Sequence, residues 1–181
     1  GELQKVFSMP LGVNEIPLAD MTTAYQTLLT GKIYKCADGD WNEPCIIQEI
    51  KDRDGRTLFV NSTESKRVLS DTVTAQIGIM LRSVFVHGTA RSQLDNITLN
   101  SPDGKTKLKY PALGKTGTTN DYRNVAFMGA IPTYVPSKNG FALDSVIAVG
   151  SYIGFDDNRP LKSGRTRIAG ASGGLPQWAS F

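Results

Sequence analysis

The sequence predicts an α/β protein of the α+β type, in which an antiparallel sheet is flanked by helices. Two segments, 17–30 and 70–87, carry apolar residues at helical spacing. Three strand candidates follow at 112–119, 124–132 and 143–154, with no helical segment between them. Because strands joined directly by loops pair antiparallel, we expect these three to be consecutive strands of one sheet, with a loop at 132–140.

The length and composition fit one core. The chain has 181 residues, 40% of them apolar, so 1–181 is expected to be one domain or a large piece of one. Its 20 basic and 17 acidic residues form no basic stripe, which argues against a nucleic-acid partner. No apolar run in the sequence is long enough to cross a membrane, and no stretch resembles a signal peptide. Because the chain begins with Gly1 rather than Met, we expect an excised piece of a parent that could itself be anchored.

The first helix is expected in a loop-and-helix segment at 11–31. Pro17 suits the first helical position, and Gly31 suits the position after the last turn. The apolar residues between them recur at helical spacing, and we expect them to form core rather than a binding face. These residues are Leu18, Met21, Tyr25, Leu28 and Leu29.

Cys36 and Cys45 are the two cysteines of the chain, and eight residues separate them. That spacing favours a small loop closed by a disulfide, which needs an oxidising compartment, and two unpaired thiols are the alternative. A metal site is not expected, because two cysteines and the single His87 cannot complete four ligands without carboxylates.

A β-hairpin is expected at 45–60. Two runs suited to strands, 46–50 and 56–60, flank Asp54-Gly55. An Asp-Gly pair between two such runs is a strong signal for a tight turn.

The second helix is expected at 70–87. Ser70 suits its N-cap, and Gly88 is expected to end it. His87 near this end is expected to be solvated or to face the helix dipole. The residues predicted to form the buried stripe are Val73, Ile77, Met80, Leu81 and Val84.

The stretch 112–120, Ala-Leu-Gly-Lys-Thr-Gly-Thr-Thr-Asn, is the main functional candidate. On a strand, Thr116 and Thr118 point to one face and Lys115 points to the other. Gly117 has no Cβ, so another backbone could lie close to the strand. A cation, two hydroxyls and an open strand edge together can bind an extended peptide that ends in a carboxylate.

These letters have two other interpretations. Gly-Lys-Thr at 114–116 could close a phosphate-binding loop, but that pattern requires glycine where the chain has Lys109. The tripeptide Lys-Thr-Gly could also be an ordinary turn, because three letters alone are not specific.

The run GKTGTTNDYR at 114–123 resembles the bifunctional (class A) penicillin-binding proteins, and Lys-Thr-Gly is a signature of the penicillin-recognising serine acyl-transferases. The similarity continues at 127–129, 146–150 and the glycine-rich 169–178, and it extends from about residue 11 to 178. The resemblance implies part of a penicillin-binding-protein or serine β-lactamase-like transpeptidase fold. It also implies that 112–154 holds three sheet strands and that 170–181 enters a last helix.

The resemblance also implies roles for the motif. Lys115 would supply positive charge, the Thr116 and Thr118 hydroxyls would bind a substrate carboxylate, and Gly117 would keep the strand edge open. The Thr118 N–H would complete an oxyanion hole, so Lys115 and Thr118 are the catalytic candidates. The implied substrate-binding residues are Thr116, Gly117, Thr118, Thr119 and Asn120. No cofactor is implied.

Two motifs of the family are missing. No serine in the chain has lysine three positions later, so the S-x-x-K nucleophile is absent. Ser137-Lys138-Asn139 matches S-x-N in letters, but it follows Lys-Thr-Gly instead of preceding it, and we expect a surface turn there. The chain therefore resembles the carboxyl-terminal half of a transpeptidase domain. Its expected partner is the missing half, without which it should be inactive and expose an apolar patch.

In the complete domain the implied reaction is acyl transfer between peptidoglycan stem peptides, and β-lactams would acylate the serine. The parent is expected at the periplasmic or extracytoplasmic face of a bacterial inner membrane. A non-catalytic peptide-binding module, or a piece of a serine β-lactamase or β-lactam sensor, is the alternative.

Family members usually carry Trp where Ala126 stands and Asp where Asn124 stands, so the cleft wall beside the motif is expected to differ.

Overall fold

The computed structural model describes residues 3–9, 12–37, 39–100, 105–137 and 140–181. They form a mixed α+β fold with antiparallel sheets, which confirms the predicted fold class. The helices are α1 (Leu18–Thr30), α2 (Asp71–Val86) and α3 (Gly174–Ala179). The strands are β1 (Lys32–Cys36), β2 (Glu49–Lys51), β3 (Thr57–Val60), β4 (Thr63–Arg67), β5 (Thr98–Asn100), β6 (Lys107–Lys109), β7 (Leu113–Thr118), β8 (Asn124–Ser137), β9 (Gly140–Gly154), β10 (Lys162–Ser163) and β11 (Thr166–Arg167).

The central sheet consists of β7, β8 and β9 in that order, and both pairings are antiparallel. Lys115 lies opposite Met128, and Thr118 lies opposite Val125. The prediction of three consecutive antiparallel strands is confirmed. The sheet places the motif on β7, at one side of the sheet.

The predicted loop at 132–140 is wrong, because β8 continues to Ser137 and β9 begins at Gly140. Two prolines, Pro132 and Pro136, favoured a loop in the sequence. Both lie beyond Ala130, where the pairing with β7 has ended, so β8 has a single neighbouring strand there. Proline is tolerated in such an edge-like stretch. Of the predicted turn, Ser137 ends β8, whereas Lys138 and Asn139 lie outside the described residues.

Helix α1 packs on the sheet through small residues. A Cβ at Gly150 of β9 would come within 2.5 Å of Thr22 Oγ1, so this glycine permits the close contact. Pro17 is the N-cap rather than the first helical residue, and Gly31 ends the helix in the left-handed conformation, as predicted. The apolar stripe is half-buried rather than core, since no residue of α1 is fully buried. Burial raises the pKa of the Tyr25 hydroxyl above its ordinary value.

Helix α2 begins as predicted, with Ser70 Oγ accepting a hydrogen bond from the Val73 N–H at 3.3 Å. The predicted buried stripe is wrong in part. Val73 and Met80 are exposed, and the other three predicted residues are half-buried. The buried residue of α2 is Phe85, which the stripe did not include. Helical spacing identifies an apolar face, but it cannot identify what covers that face.

The end of α2 agrees with the prediction. His87 is the C-cap, and Gly88 follows it directly. A Cβ at Gly88 would lie 2.9 Å from both Cα and O of Val84, so glycine is needed for close packing on the last helical turn.

Three aromatic rings form the centre of the core. The ring centroid of Phe127 lies 5.6 Å from that of Phe85 and 5.0 Å from that of Trp178. Trp178 also donates its indole N–H to the Val149 carbonyl at 3.1 Å, so its one polar atom is satisfied. The core therefore joins α2, the central sheet and α3, the helix expected within 170–181.

The hairpin at 45–60 is present, with Gly55 at φ +80° in the turn, but its strands are shorter than predicted. A second antiparallel pair, β1 with β4, was not foreseen, and it pairs Cys36 with Thr63. Cys36 and Cys45 form a disulfide with their Cα atoms 6.1 Å apart. That bond ties the end of β1 to the segment before β2.

Candidate functional site

The motif strand β7 has one open edge. It pairs with β8 on one side, and no strand of the described residues pairs with its other side. Thr119, directly after β7, donates its backbone N–H to the Asn124 carbonyl at 2.9 Å. Since backbone groups alternate in direction along an antiparallel strand, Lys115 and Gly117 direct theirs toward β8. Thr116 and Thr118 therefore direct their N–H and C=O groups to the open edge.

Lys115 contributes a cation at this edge. Its side chain is exposed, and Nζ donates a hydrogen bond to the Thr116 carbonyl at 2.8 Å. No carboxylate of the described residues forms an ion pair with it. The ammonium thus keeps donor capacity for a ligand that approaches the edge.

The hydroxyls of Thr116 and Thr118 are held by segments outside the sheet. Thr116 Oγ1 lies 2.8 Å from Thr89 Oγ1, which follows α2. Thr118 Oγ1 accepts a hydrogen bond from the Gly170 N–H at 2.9 Å, in the segment that leads to α3. Both hydroxyls are on the face of β7 opposite to Lys115, as the alternation predicted.

Gly117 has room on one face and close packing on the other. A Cβ there would lie 3.7 Å from the Ala126 Cβ, which is an ordinary contact. On the opposite face a Cβ at Gly170 would lie 2.5 Å from the Gly117 carbonyl oxygen and 3.0 Å from its nitrogen. The backbone of this chain therefore occupies one side of Gly117.

Thr119 and Asn120 lie at the end of the motif strand. Thr119 Oγ1 accepts a hydrogen bond from the Asn124 N–H at 2.9 Å, which closes the connection between β7 and β8. Asn120 is exposed in a 3-10 turn, Asn120–Tyr122. Asp121 and Tyr122 have φ values of 58° and 57°, a conformation uncommon outside glycine. The structure thus brings 115–119 together on one strand, while Asn120 belongs to the adjoining turn.

Asn124, one of the two departures noted in the sequence, is part of a polar network. Its amide donates to Asn158 Oδ1 at 3.0 Å and accepts from the Tyr152 hydroxyl. Arg123 donates to the Asn158 carbonyl at 2.7 Å. These bonds attach the turn after the motif to the loop after β9. The other departure, Ala126, lies directly opposite Gly117.

The disulfide is remote from the motif in the fold. A cavity of about 420 Å³ beside Cys36 and Cys45 is lined by apolar residues of the hairpin segment, and no residue of β7 lines it.

Within the described ranges no group of His, Cys, Asp or Glu side chains is arranged to hold a metal ion. Over the same ranges no helix combines the length and apolar character needed to span a bilayer.

Curated proteins match the sequence along almost its whole length. Penicillin-binding protein 1A of Aquifex aeolicus is 29% identical over 181 residues, covering 99% of this chain and 20% of that protein. Penicillin-binding protein 1B of Haemophilus influenzae is 31% identical over 181 residues, covering 99% of this chain and 19% of that protein. Penicillin-binding protein 1A of Rickettsia typhi is 30% identical over 191 residues, covering 99% of this chain and 21% of that protein.

The chain is homologous to a segment of penicillin-binding proteins 1A and 1B. It spans about one fifth of the length of these relatives. No family model matches the sequence. The resemblance to class A penicillin-binding proteins, which rested on a few short motifs, is confirmed by matches that cover 99% of the chain.

Two contacts to the motif were not predicted from the sequence. Thr89 and Gly170 are 27 and 52 residues from their threonine partners on β7. Neither contact leaves a local periodicity or spacing signal. Gly88 was predicted only to end α2, and the glycines at 170–174 entered only through the resemblance at 169–178.

Proposed function

We propose that this chain is part of a serine D,D-transpeptidase that cross-links peptidoglycan stem peptides and is acylated by β-lactams. The observation that carries the proposal is the open edge of β7. There the Lys115 ammonium lies at the edge, and the backbone N–H groups of Thr116 and Thr118 are directed outward. The homology to penicillin-binding proteins supports the choice of ligand class.

The proposed reaction has two steps. A serine Oγ supplied outside this chain bonds to the carbonyl carbon of the penultimate D-Ala, the bond to the terminal D-Ala nitrogen breaks, and the serine proton is transferred to that nitrogen. An amine of a neighbouring stem peptide then bonds to the same carbon, and the serine oxygen leaves with a proton. A β-lactam would follow the first step, because its ring nitrogen is the leaving group and stays attached to the acyl group.

Residues of β7 would bind the terminal carboxylate and the developing oxyanion. Thr118 Oγ1 already accepts the Gly170 N–H, so its own proton is available to a carboxylate. Lys115 adds charge-assisted attraction at the same edge. The outward N–H of Thr118 would be one oxyanion-hole donor, a group whose loss typically costs about 10²–10³ in rate.

The proposal implies partners and a location for the whole protein. Stem peptides and β-lactams would be its ligands, and the remainder of the same transpeptidase domain would supply the nucleophile. The parent would be anchored in the inner membrane and act at its periplasmic or extracytoplasmic face. No cofactor takes part in the proposed steps.

The test is Lys115→Ala in the longer polypeptide that carries the serine. We expect labelled penicillin to acylate this variant at least about 100-fold more slowly, because the charge at the strand edge is lost. Lys66→Ala is the matched control, since Lys66 is exposed on β4 and belongs to a different sheet. Equal acylation rates for the Lys115 and Lys66 variants would contradict the proposal.

A second candidate function is non-catalytic peptide binding, for which the open edge of β7 would be sufficient. Intact mass spectrometry of the isolated chain with labelled penicillin should detect no covalent adduct, because the nucleophile is missing. A stoichiometric adduct on a serine of this chain would contradict that expectation. Saturable binding of a D-Ala-D-Ala peptide, together with absent acylation in the longer polypeptide, would favour the binding module.

A further inference from the structure

Thr89 is the hydroxyl nearest to the motif from outside the central sheet. Its Oγ1 lies 2.8 Å from Thr116 Oγ1, and either oxygen could be the donor in that hydrogen bond. Thr116 lies directly opposite Phe127, the fully buried ring at the centre of the core, so the backbone beneath this contact is firmly packed.

The backbone on both sides of Thr89 is fixed. Gly88 packs on Val84 so closely that a Cβ would lie 2.9 Å from the Val84 carbonyl oxygen. Ala90 is completely buried and donates its N–H to that same oxygen at 3.0 Å. Thr89 itself is exposed. A residue between two such anchors holds its hydroxyl in a defined place at the surface.

The hydrogen bond of Thr118 shows how a motif hydroxyl can keep its proton for a carboxylate. Thr118 Oγ1 must be the acceptor in its bond to Gly170, because a backbone N–H can only donate. The Thr118 proton is therefore left for a ligand. If Thr116 instead donated to Thr89, it would present only lone pairs, and a carboxylate would be repelled.

We propose that Thr89 is a positioning residue for substrate binding: its hydroxyl donates to Thr116 Oγ1 and thereby directs the Thr116 proton toward the substrate carboxylate. This inference rests on the proposed function of β7. The two motif hydroxyls, of Thr116 and Thr118, then have the same arrangement. Each accepts a hydrogen bond from a segment outside the sheet, and each keeps its own proton for the ligand. Two hydrogen bonds in series also polarise each other, which strengthens the outer one.

The test measures acylation of the longer polypeptide by a labelled penicillin and by the methyl ester of the same penicillin. Thr89→Val keeps the shape but loses the hydroxyl, and we expect about 3- to 10-fold slower acylation by the acid, the size of one hydrogen bond. The ester should be affected less than twofold, because it carries no carboxylate charge. Since the ratio of the two rates is independent of the amount of active protein, partial unfolding cannot imitate this result.

Three further variants complete the design. Thr89→Ser restores the hydroxyl and should regain the acid-to-ester ratio of the unmodified protein. Thr116→Val should abolish the effect of Thr89→Val, because the two residues act through one bond. Ser83→Ala removes a hydroxyl within α2, which donates to the Met80 carbonyl, and should change neither rate.

Each outcome decides the inference. An unchanged acid-to-ester ratio in Thr89→Val, or a full Thr89→Val effect in the Thr116→Val background, overturns it. If Lys115→Ala is slow while Thr89→Val is normal, the proposed function stands and this inference fails. If Lys115→Ala is acylated normally, the proposed function fails and removes this inference as well.

Discussion

Phe85 is the residue of α2 on which the attachment of that helix depends. Its side chain is 1% exposed and packs against Phe127 and Trp178. We expect Phe85→Ala to lower the free energy of unfolding by about 3–5 kcal/mol, because the change removes buried contacts and leaves a cavity. Ile79→Ala on the same helix is the control, since Ile79 is 71% exposed and its loss should cost less than about 0.5 kcal/mol.

Urea denaturation followed by circular dichroism measures both values. Similar losses for the two variants would contradict the packing of α2 described above. The comparison uses one helix and two apolar residues, so helix propensity cannot explain a difference between them. Burial is what separates the two positions.

The segment before α3 is an element without regular structure that nevertheless packs tightly on β7. We expect Gly170→Ala to destabilise the chain by about 1–3 kcal/mol, because its Cβ would lie 2.5 Å from the Gly117 carbonyl and overpacking is costly. Thermal unfolding checks this value. Gly78→Ala is the control, and for it we expect a change in stability of the opposite sign. Gly78 lies in α2 with nothing within 4 Å of its Cβ position, and alanine should stabilise the helix by about 0.5–1 kcal/mol. Stabilisation by Gly170→Ala would contradict the close contact.

Elements were predictable from the sequence where the signal was local. The Ser70 cap identified the start of α2, and three strand-like runs with no helical segment between them identified the central strands. The pairing of β1 with β4 was missed, because the latter strand, Thr63–Arg67, is polar throughout and exposed. The strand ends at 132–140 were missed because Pro132 and Pro136 favoured a loop. Proline is tolerated in a strand that has a neighbour on one side only, and the sequence does not show how many neighbours a strand has.

The candidate site divides in the same way. Lys115, Thr116, Gly117 and Thr118 follow one another in the chain, so their strand and its two faces could be predicted from alternation alone. Thr89 and Gly170 reach the strand from distant segments, and such contacts depend on the tertiary fold. Sequence patterns therefore identified the residues of the motif strand, but not the distant segments whose atoms contact their hydroxyls.

At the scale of the whole molecule, many apolar side chains of the described residues remain exposed, including groups on α2 and around the hairpin. Ile79 and Met80 are exposed on α2, and Ile46, Leu58 and Val60 are exposed around the hairpin, at 92%, 67% and 62% for the last three. Exposed apolar surface marks an interaction site. If the chain acts as proposed, the remainder of the transpeptidase domain would be the partner that covers these side chains.

The disulfide gives a prediction for the molecule as a whole. Thiol titration of the unfolded, unreduced protein should find close to zero free thiols, because Cys36 and Cys45 are paired. Reduction should lower the free energy of unfolding by about 2–3 kcal/mol, the value expected for a loop of this size. A variant with both cysteines changed to alanine should not respond to reductant. Two free thiols would exclude the bridge and weaken the case for an oxidising compartment.

The aromatic core has an optical consequence. The chain has two tryptophans, of which Trp178 is 3% exposed against two phenylalanine rings and Trp41 is 41% exposed in a loop. Fluorescence from an indole shielded from water is shifted to the blue, whereas an indole in contact with water emits further to the red. In a Trp41→Phe variant the remaining emission would come from the indole that joins α2, α3 and the central sheet. The wavelength of that emission would report, without any added label, whether these three parts of the molecule are packed together.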